Sequence, residues 1–137
     1  RDGARVPLPW DGDSTPFGFT TGTPWLPLAD SWKDLTVEKQ SSDPKSTLNL
    51  FKTALRLRAE HLISQGEISW VESPEHGSKG SSLVAFQRGN VSIFMNLTDS
   101  PIEAEITGKL LMMSAGTVDA RDGKMTIPAV STIWVHH

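Results

Sequence analysis

Cysteine is absent from this 137-residue chain. Its absence excludes a disulfide framework and any thiolate-held metal. A cysteine-free composition fits a reducing compartment and equally permits secretion; the expected location is cytoplasmic. No apolar run approaches the ~20 residues that cross a bilayer, so no membrane segment is expected, and no signal-peptide pattern is visible. Excess positive charge is also missing: the formal net charge is -3. Nucleic-acid binding favours a basic patch, so nucleic acid is not an expected partner. The H-E-x-x-H, G-x-S-x-G, P-loop and dinucleotide motifs are absent, and no cofactor is expected. His61, His76, His136 and His137 are scattered along the chain. Without convergent partners they predict no metal site. Two N-x-S/T sequons, at Asn90 and Asn96, sit in strand-like sequence and are read as chance matches.

Residues 1–41 hold Pro7, Pro9, Pro16, Pro24 and Pro27, with Trp10, Phe17, Phe19, Trp25 and Trp32, and show no periodicity. That is too aromatic for a disordered linker. A loop of this length is uncommon unless functional or packed on something. It reads either as an ordered arm or, better, as a long loop belonging to a larger protein.

The stretch SSDPKSTLNLFKTALRLRAEHLISQG predicts one amphipathic helix over 42–66. Asp43 is the expected cap, Pro44 the first helical residue and Gly66 the left-handed terminator. Leu48, Phe51, Leu55 and Leu62 form an apolar stripe, which Leu50, Ala54 and Leu57 widen to more than one face. A helix of that kind needs partners on two sides.

Residues 67–137 read as an antiparallel β-domain, expected to be a small β-sandwich. Candidate strands are EISWVE, LVAFQR, VSIFMNL, IEAEI, KLLMMS, KMTIP and STIWVHH. RGN at 88–90 and RDG at 121–123 are turn signals, and SPEHGSKGSS at 73–82 reads as a mobile loop. Trp70 and Trp134 lie in apolar strand patterns and are expected in the core rather than as sugar platforms.

Paired carboxylates are the remaining route to chemistry. Glu103 and Glu105 share one face of a strand and read as a solvated face. Asp11 and Asp13 flank a glycine and read as turn residues. No catalytic residue is expected in the chain. Arg1, Asp2 and Arg5 place two guanidiniums and a carboxylate within five residues. That set suits sugar recognition beside aromatics, and equally a structural Arg–Asp pair.

The order of motifs adds to this reading. RDGARVPLPWD, then GFT at 18–20, PWLPLADSW at 24–32 and VEKQSSDPKSTLNLFKTALRLR at 37–58 resembles the C-terminal portion of family 13 α-glucosidases. Members of that group typically carry R-D-x-x-R-x-P-x-x-W, G-F-[ST], P-W-L-P and Q-x-x-D-P-x-S in that order. LVAFQRGNVSIFMNLTDS is similar to their strand pair ending in an Asn-containing segment. The likeness thins after about residue 100, and Leu8-Pro9 stands where Met-Gln or Met-Pro is commoner.

The resemblance implies a mainly β chain: an antiparallel β-sandwich at 67–137, preceded at 1–66 by the terminal loop and last helix of a (β/α)8 barrel. It implies an α-glucosidase parent acting on maltose- and isomaltose-type oligosaccharides. The carboxylates of that reaction would lie on barrel strands outside this chain, leaving it noncatalytic. It implies that Arg1 and Arg5 bind substrate and that Asp2 organises the loop. The implied partners are the oligosaccharide and the barrel. A noncatalytic transporter-partner relative and a trehalose synthase or other transglycosylating relative carry similar sequences. A free-standing carbohydrate-binding β-module is the remaining alternative.

Overall fold

A computed structural model describes residues 5–62, 66–71 and 83–137. The predicted loop at 73–82 and His76 lie outside the described residues. The chain forms two compact units, one ending at Lys52 and the other Thr53–His137.

The first unit is ordered although it contains little regular structure. Phe17 is its anchor, with 1% of its surface exposed. The backbone N–H groups of Trp10 and Asp11 donate to the Phe17 carbonyl at 2.8 and 3.1 Å. A 3-10 helix, Asp30–Asp34, leads into α1, Val37–Ser42. The first free N–H groups of α1 find partners in the preceding loop: Val37 donates to Pro9 at 3.0 Å and Glu38 to Trp10 at 2.9 Å. Buried Thr36 caps the helix, accepting from the Lys39 N–H through its hydroxyl at 3.3 Å. Six polar-rich residues carry no apolar period, so the sequence did not predict α1.

The predicted single helix starts later than expected. α2 spans Thr47–His61. Asp43 is not its cap and Pro44 is not within it. Asp43 instead follows α1, and its carboxylate accepts from the Lys45 N–H at 2.9 Å in a turn. Ser46 takes over the capping, accepting from the Asn49 N–H at 3.2 Å. The segment QSSDPKS is thereby a helix–helix corner. Gln40 accepts from the Leu48 N–H at 3.2 Å through its side-chain oxygen. Its backbone carbonyl accepts from the Ser46 hydroxyl at 2.6 Å and the Asn49 amide at 2.9 Å. Gly66 also departs from expectation, because it is not among the residues with positive φ. Leu57 and Leu62 are buried, whereas Phe51 and Leu55 are 63% and 60% exposed. The wide apolar stripe is thus only half covered within this chain.

The second unit is the predicted antiparallel sandwich. Its strands are β1 Ile68–Trp70, β2 Leu83–Arg88, β3 Val91–Asn96, β4 Ile102–Glu105, β5 Lys109–Met113, β6 Asp119–Arg121, β7 Lys124–Ile127 and β8 Ser131–His136. A five-stranded sheet runs β1-β2-β3-β8-β5 and a three-stranded sheet β4-β7-β6. β6 is short and fully exposed, so no apolar alternation announces it. Both turn signals close two-residue hairpins. Gly89 has φ +58 between β2 and β3, and Asp122 and Gly123 have φ +52 and +78 between β6 and β7. Positive φ at both central residues is the demand of a type I′ turn, which Asp-Gly meets at least strain.

Alternation sorts the side chains of the large sheet. Leu83, Ala85, Phe94, Ile133 and Val135 face Ala104, Ile106, Met125 and Ile127 from the small-sheet side, forming the core. The opposite face carries Val91 and Ile93 with Phe86, Met95, Leu111 and Trp134, against which Leu62 packs. β5 is a continuous apolar run, and a register shift between Leu110 and Met112 resolves it. Leu110 and Met113 thereby reach the core while Leu111 joins the other face.

Candidate functional site

The opening segment is positioned from α1. Pro7 and Pro9 are buried, and Pro9 and Trp10 are held by the N–H groups of Val37 and Glu38. Upstream of this anchor Arg5 is exposed, and it has no hydrogen-bond or ion-pair partner among the described residues. A charged fork held at an ordered loop with no internal partner is available to a ligand or to another surface. Arg1 and Asp2 lie outside the described residues, so the three are not seen together.

A shallow depression of about 480 Å³ lies farther along the loop, lined by Thr15, Pro16, Gly22, Thr23, Pro24, Trp25, Pro27 and Leu28. Trp25, from the PWLP segment, is 96% exposed. An exposed indole beside threonine hydroxyls is chemically able to stack on an apolar ring face and leave polar groups free to hydrogen-bond.

Several acidic residues serve structural pairs. The Lys39 ammonium donates to the Asp13 carboxylate at 2.6 Å and approaches Asp34 at 3.5 Å. The hydrogen bond from Lys39, and then its charge, hold the Asp13 carboxyl below its ordinary value. The same bond raises the Lys39 ammonium. A general acid needs the opposite shift, a carboxyl held neutral. Glu103 pairs with Lys124 at 2.8 Å. Gly12 donates to Glu38 at 3.2 Å. Among the described residues no three His, Cys, Asp or Glu side chains converge as a metal cluster.

Several singled-out residues fall differently from expectation. Trp70 is 69% exposed and makes an edge-on contact with Phe86 at 6.0 Å, so it is not a core residue. Among the described residues its strand is the outermost of the large sheet. Trp134 is packed as expected. Asn90 occupies the exposed hairpin turn rather than a strand. Asn96 is 1% exposed and its side chain makes five hydrogen bonds to four residues, which leaves no room for a glycan on the folded chain. The distant His61 and His136 meet, with ring centroids 5.2 Å apart. No sequence signal marks that meeting, because sheet pairing and the end of α2 create it.

Residues 1–66 match the family model described as "Alpha amylase, catalytic domain". The oligo-1,6-glucosidase of Parageobacillus thermoglucosidasius is 43% identical over 63 residues, 46% of this chain and 11% of that protein. A probable alpha-glucosidase of Rhizobium meliloti (strain 1021) is 36% identical over 117 residues, 81% of this chain and 20% of that protein. The chain therefore spans only a small part of the length of these curated relatives. The crystal structure of the trehalulose synthase from Pseudomonas mesoacidophila MX-45 superposes with a TM-score of 0.78 at 20% identity. The match covers 98% of this chain and 25% of that one. At that identity the likeness concerns the fold.

Proposed function

The chain belongs to the α-amylase family of glycoside hydrolases, family 13, and from that premise we propose that it is the C-terminal portion of an α-glucosidase. The parent hydrolyses α-glucosidic bonds of maltose- and isomaltose-type oligosaccharides in the cytoplasm. Residues 1–66 are the terminal loop and last helix of its catalytic barrel, and 67–137 are the appended β-domain. The observation that carries this reading is the placement of the four ordered motifs. All lie within the 66 residues that match the catalytic-domain model, and the sandwich follows. The exposed Phe51 and Leu55 supply the face that α2 turns toward the barrel.

In this reading the chain carries no catalytic carboxylate. A retaining glycosidase needs two carboxyl groups about 5–5.5 Å apart at strand ends of the barrel. Asp13 and Asp34 of the first unit are instead paired with Lys39, and Glu38 accepts from the Gly12 N–H. The part contributed here is an edge of the sugar site. Arg1 holds the terminal glucose, Arg5 approaches the next sugar, and Asp2 keeps the loop in register. Free guanidinium donors such as that of Arg5 suit an array of sugar hydroxyls and an opposing carboxylate.

Two assays test the proposal. The homogeneous 137-residue chain is expected to leave p-nitrophenyl α-glucoside intact, whereas the longer protein containing it turns it over. In the longer protein, Arg1→Ala is expected to lower kcat/KM on the order of 10²-fold, the scale of losing one strong transition-state donor. Turnover by the isolated chain, or unchanged kinetics in Arg1→Ala, overturns the assignment it addresses.

A further inference from the structure

The meeting of His61 and His136 has no part in the proposed sugar site. His61 is the last residue of α2 and His136 the last of β8. Their rings are inclined at 60° with centroids 5.2 Å apart, so they are not stacked. The His61 side chain is 29% exposed and His136 is half-buried. Neither imidazole has a hydrogen-bond partner among the described residues. The Glu60 carboxylate lies 4.0 Å from His61 Nε2 and is itself held by Arg56.

We propose that His61 and His136 form a chelating pair for a late first-row divalent cation: Zn²⁺, Ni²⁺ or Cu²⁺. With metal–nitrogen bonds of about 2.0–2.1 Å, two imidazoles at neighbouring tetrahedral positions have centroids roughly 5 Å apart. The observed centroid separation of 5.2 Å falls at that span. Imidazole nitrogen selects these metals over calcium and magnesium, which take oxygen. Glu60 is engaged by Arg56 at 2.9 and 3.0 Å, so water fills the remaining positions. Lys109, the cross-strand neighbour of His136, and Arg56, paired with Glu60, are opposing positive charges. Two protein ligands make an exchangeable site rather than a closed structural one. Occupancy ties the end of α2 to the large sheet and so stabilises the folded chain against the unfolded one.

The intact chain is titrated with NiCl₂, ZnCl₂ and CuCl₂ by calorimetry, with copper followed by electron paramagnetic resonance. The expected result is one saturable site, a two-nitrogen copper spectrum and a raised Tm. His61→Gln and His136→Gln should each abolish the site while circular dichroism stays native. His137→Gln should keep it, since His137 Nε2 is engaged with the Ser92 hydroxyl at 2.7 Å. Absence of saturable binding overturns the proposal. So does binding that survives His61→Gln but is lost in His137→Gln, which would mark a site made by adjacent C-terminal histidines.

Discussion

Replacing Asn96 by alanine probes how the two sheets are joined. Asn96 ends β3 and is 1% exposed. Its amide nitrogen is shared among the carbonyls of Ser100 at 2.8 Å, Pro128 at 2.9 Å and Ile127 at 3.2 Å. Its oxygen accepts from the Thr98 N–H at 2.9 Å and the Thr98 hydroxyl at 2.7 Å. One carboxamide thus links the five-stranded sheet to the end of β7 in the three-stranded sheet and to the loop before β4. Two N–H groups cannot fully serve three carbonyls, so the loss amounts to roughly four hydrogen bonds at about 0.5–1.5 kcal/mol each. Ser100 and Pro128 lie near the surface and can recover water, which brings the expected cost to about 3 kcal/mol. For a unit of this size that lowers Tm by roughly 12–24 °C, at about 4–8 °C per kcal/mol. Thermal unfolding followed by circular dichroism is the assay, with Asn90→Ala in the exposed turn as a control expected within about 0.5 kcal/mol of the parent. A Tm for Asn96→Ala within about 2 °C of the unsubstituted chain would refute the reasoning, on the same scale of conversion.

Two further predictions concern backbone geometry and charge. Gly108 has φ +123, and a Cβ there would stand 2.5 Å from the His136 carbonyl oxygen and 2.8 Å from the Val135 side chain. Gly108→Ala is therefore expected to cost at least about 2 kcal/mol, read as a lower urea midpoint, and an unchanged midpoint would remove the constraint. The Asp13–Lys39 pair sets a pH window. Asp13 is shifted down from 3.8, so its contribution is full above that value and is lost as pH falls through the lower folded one. Lys39 is shifted up from 10.5, so its contribution is full below that value and is lost as pH rises through the higher folded one. The pair is solvent-exposed and its effect is small. Lys39→Met should flatten both limbs of the stability–pH curve, and identical curves for the two proteins would count against a role for the pair.

How much was legible beforehand varied with the physical code involved. Seven of the eight described strands followed from apolar runs or alternation and from turn residues, because a half-buried strand alternates and a tight hairpin must supply positive φ. β6 and α1 escaped, since exposed or polar-rich short elements owe their existence to partners rather than to a pattern. The start of α2 was misplaced because Asp43 and Ser46 are both competent caps. The choice fell to Ser46, whose hydroxyl is also fixed by the Gln40 carbonyl. Apolar pattern alone puts Trp70 in the core, but it sits on the outermost described strand of the large sheet and is exposed.

The sequence by itself determined the β-class, the hairpin positions, the Pro/Trp-rich segment and the ordered motifs that lead to the family. These are local signals, written in spacing and in residues with restricted backbone freedom. Tertiary structure alone decided what distance along the chain conceals. It gathered the Asn96 carboxamide with carbonyls some thirty residues away. It spent Asp13 on Lys39, and it brought the His61 ring against His136. Such contacts depend on sheet register and on where a helix ends, and no periodicity in one segment encodes its register against another.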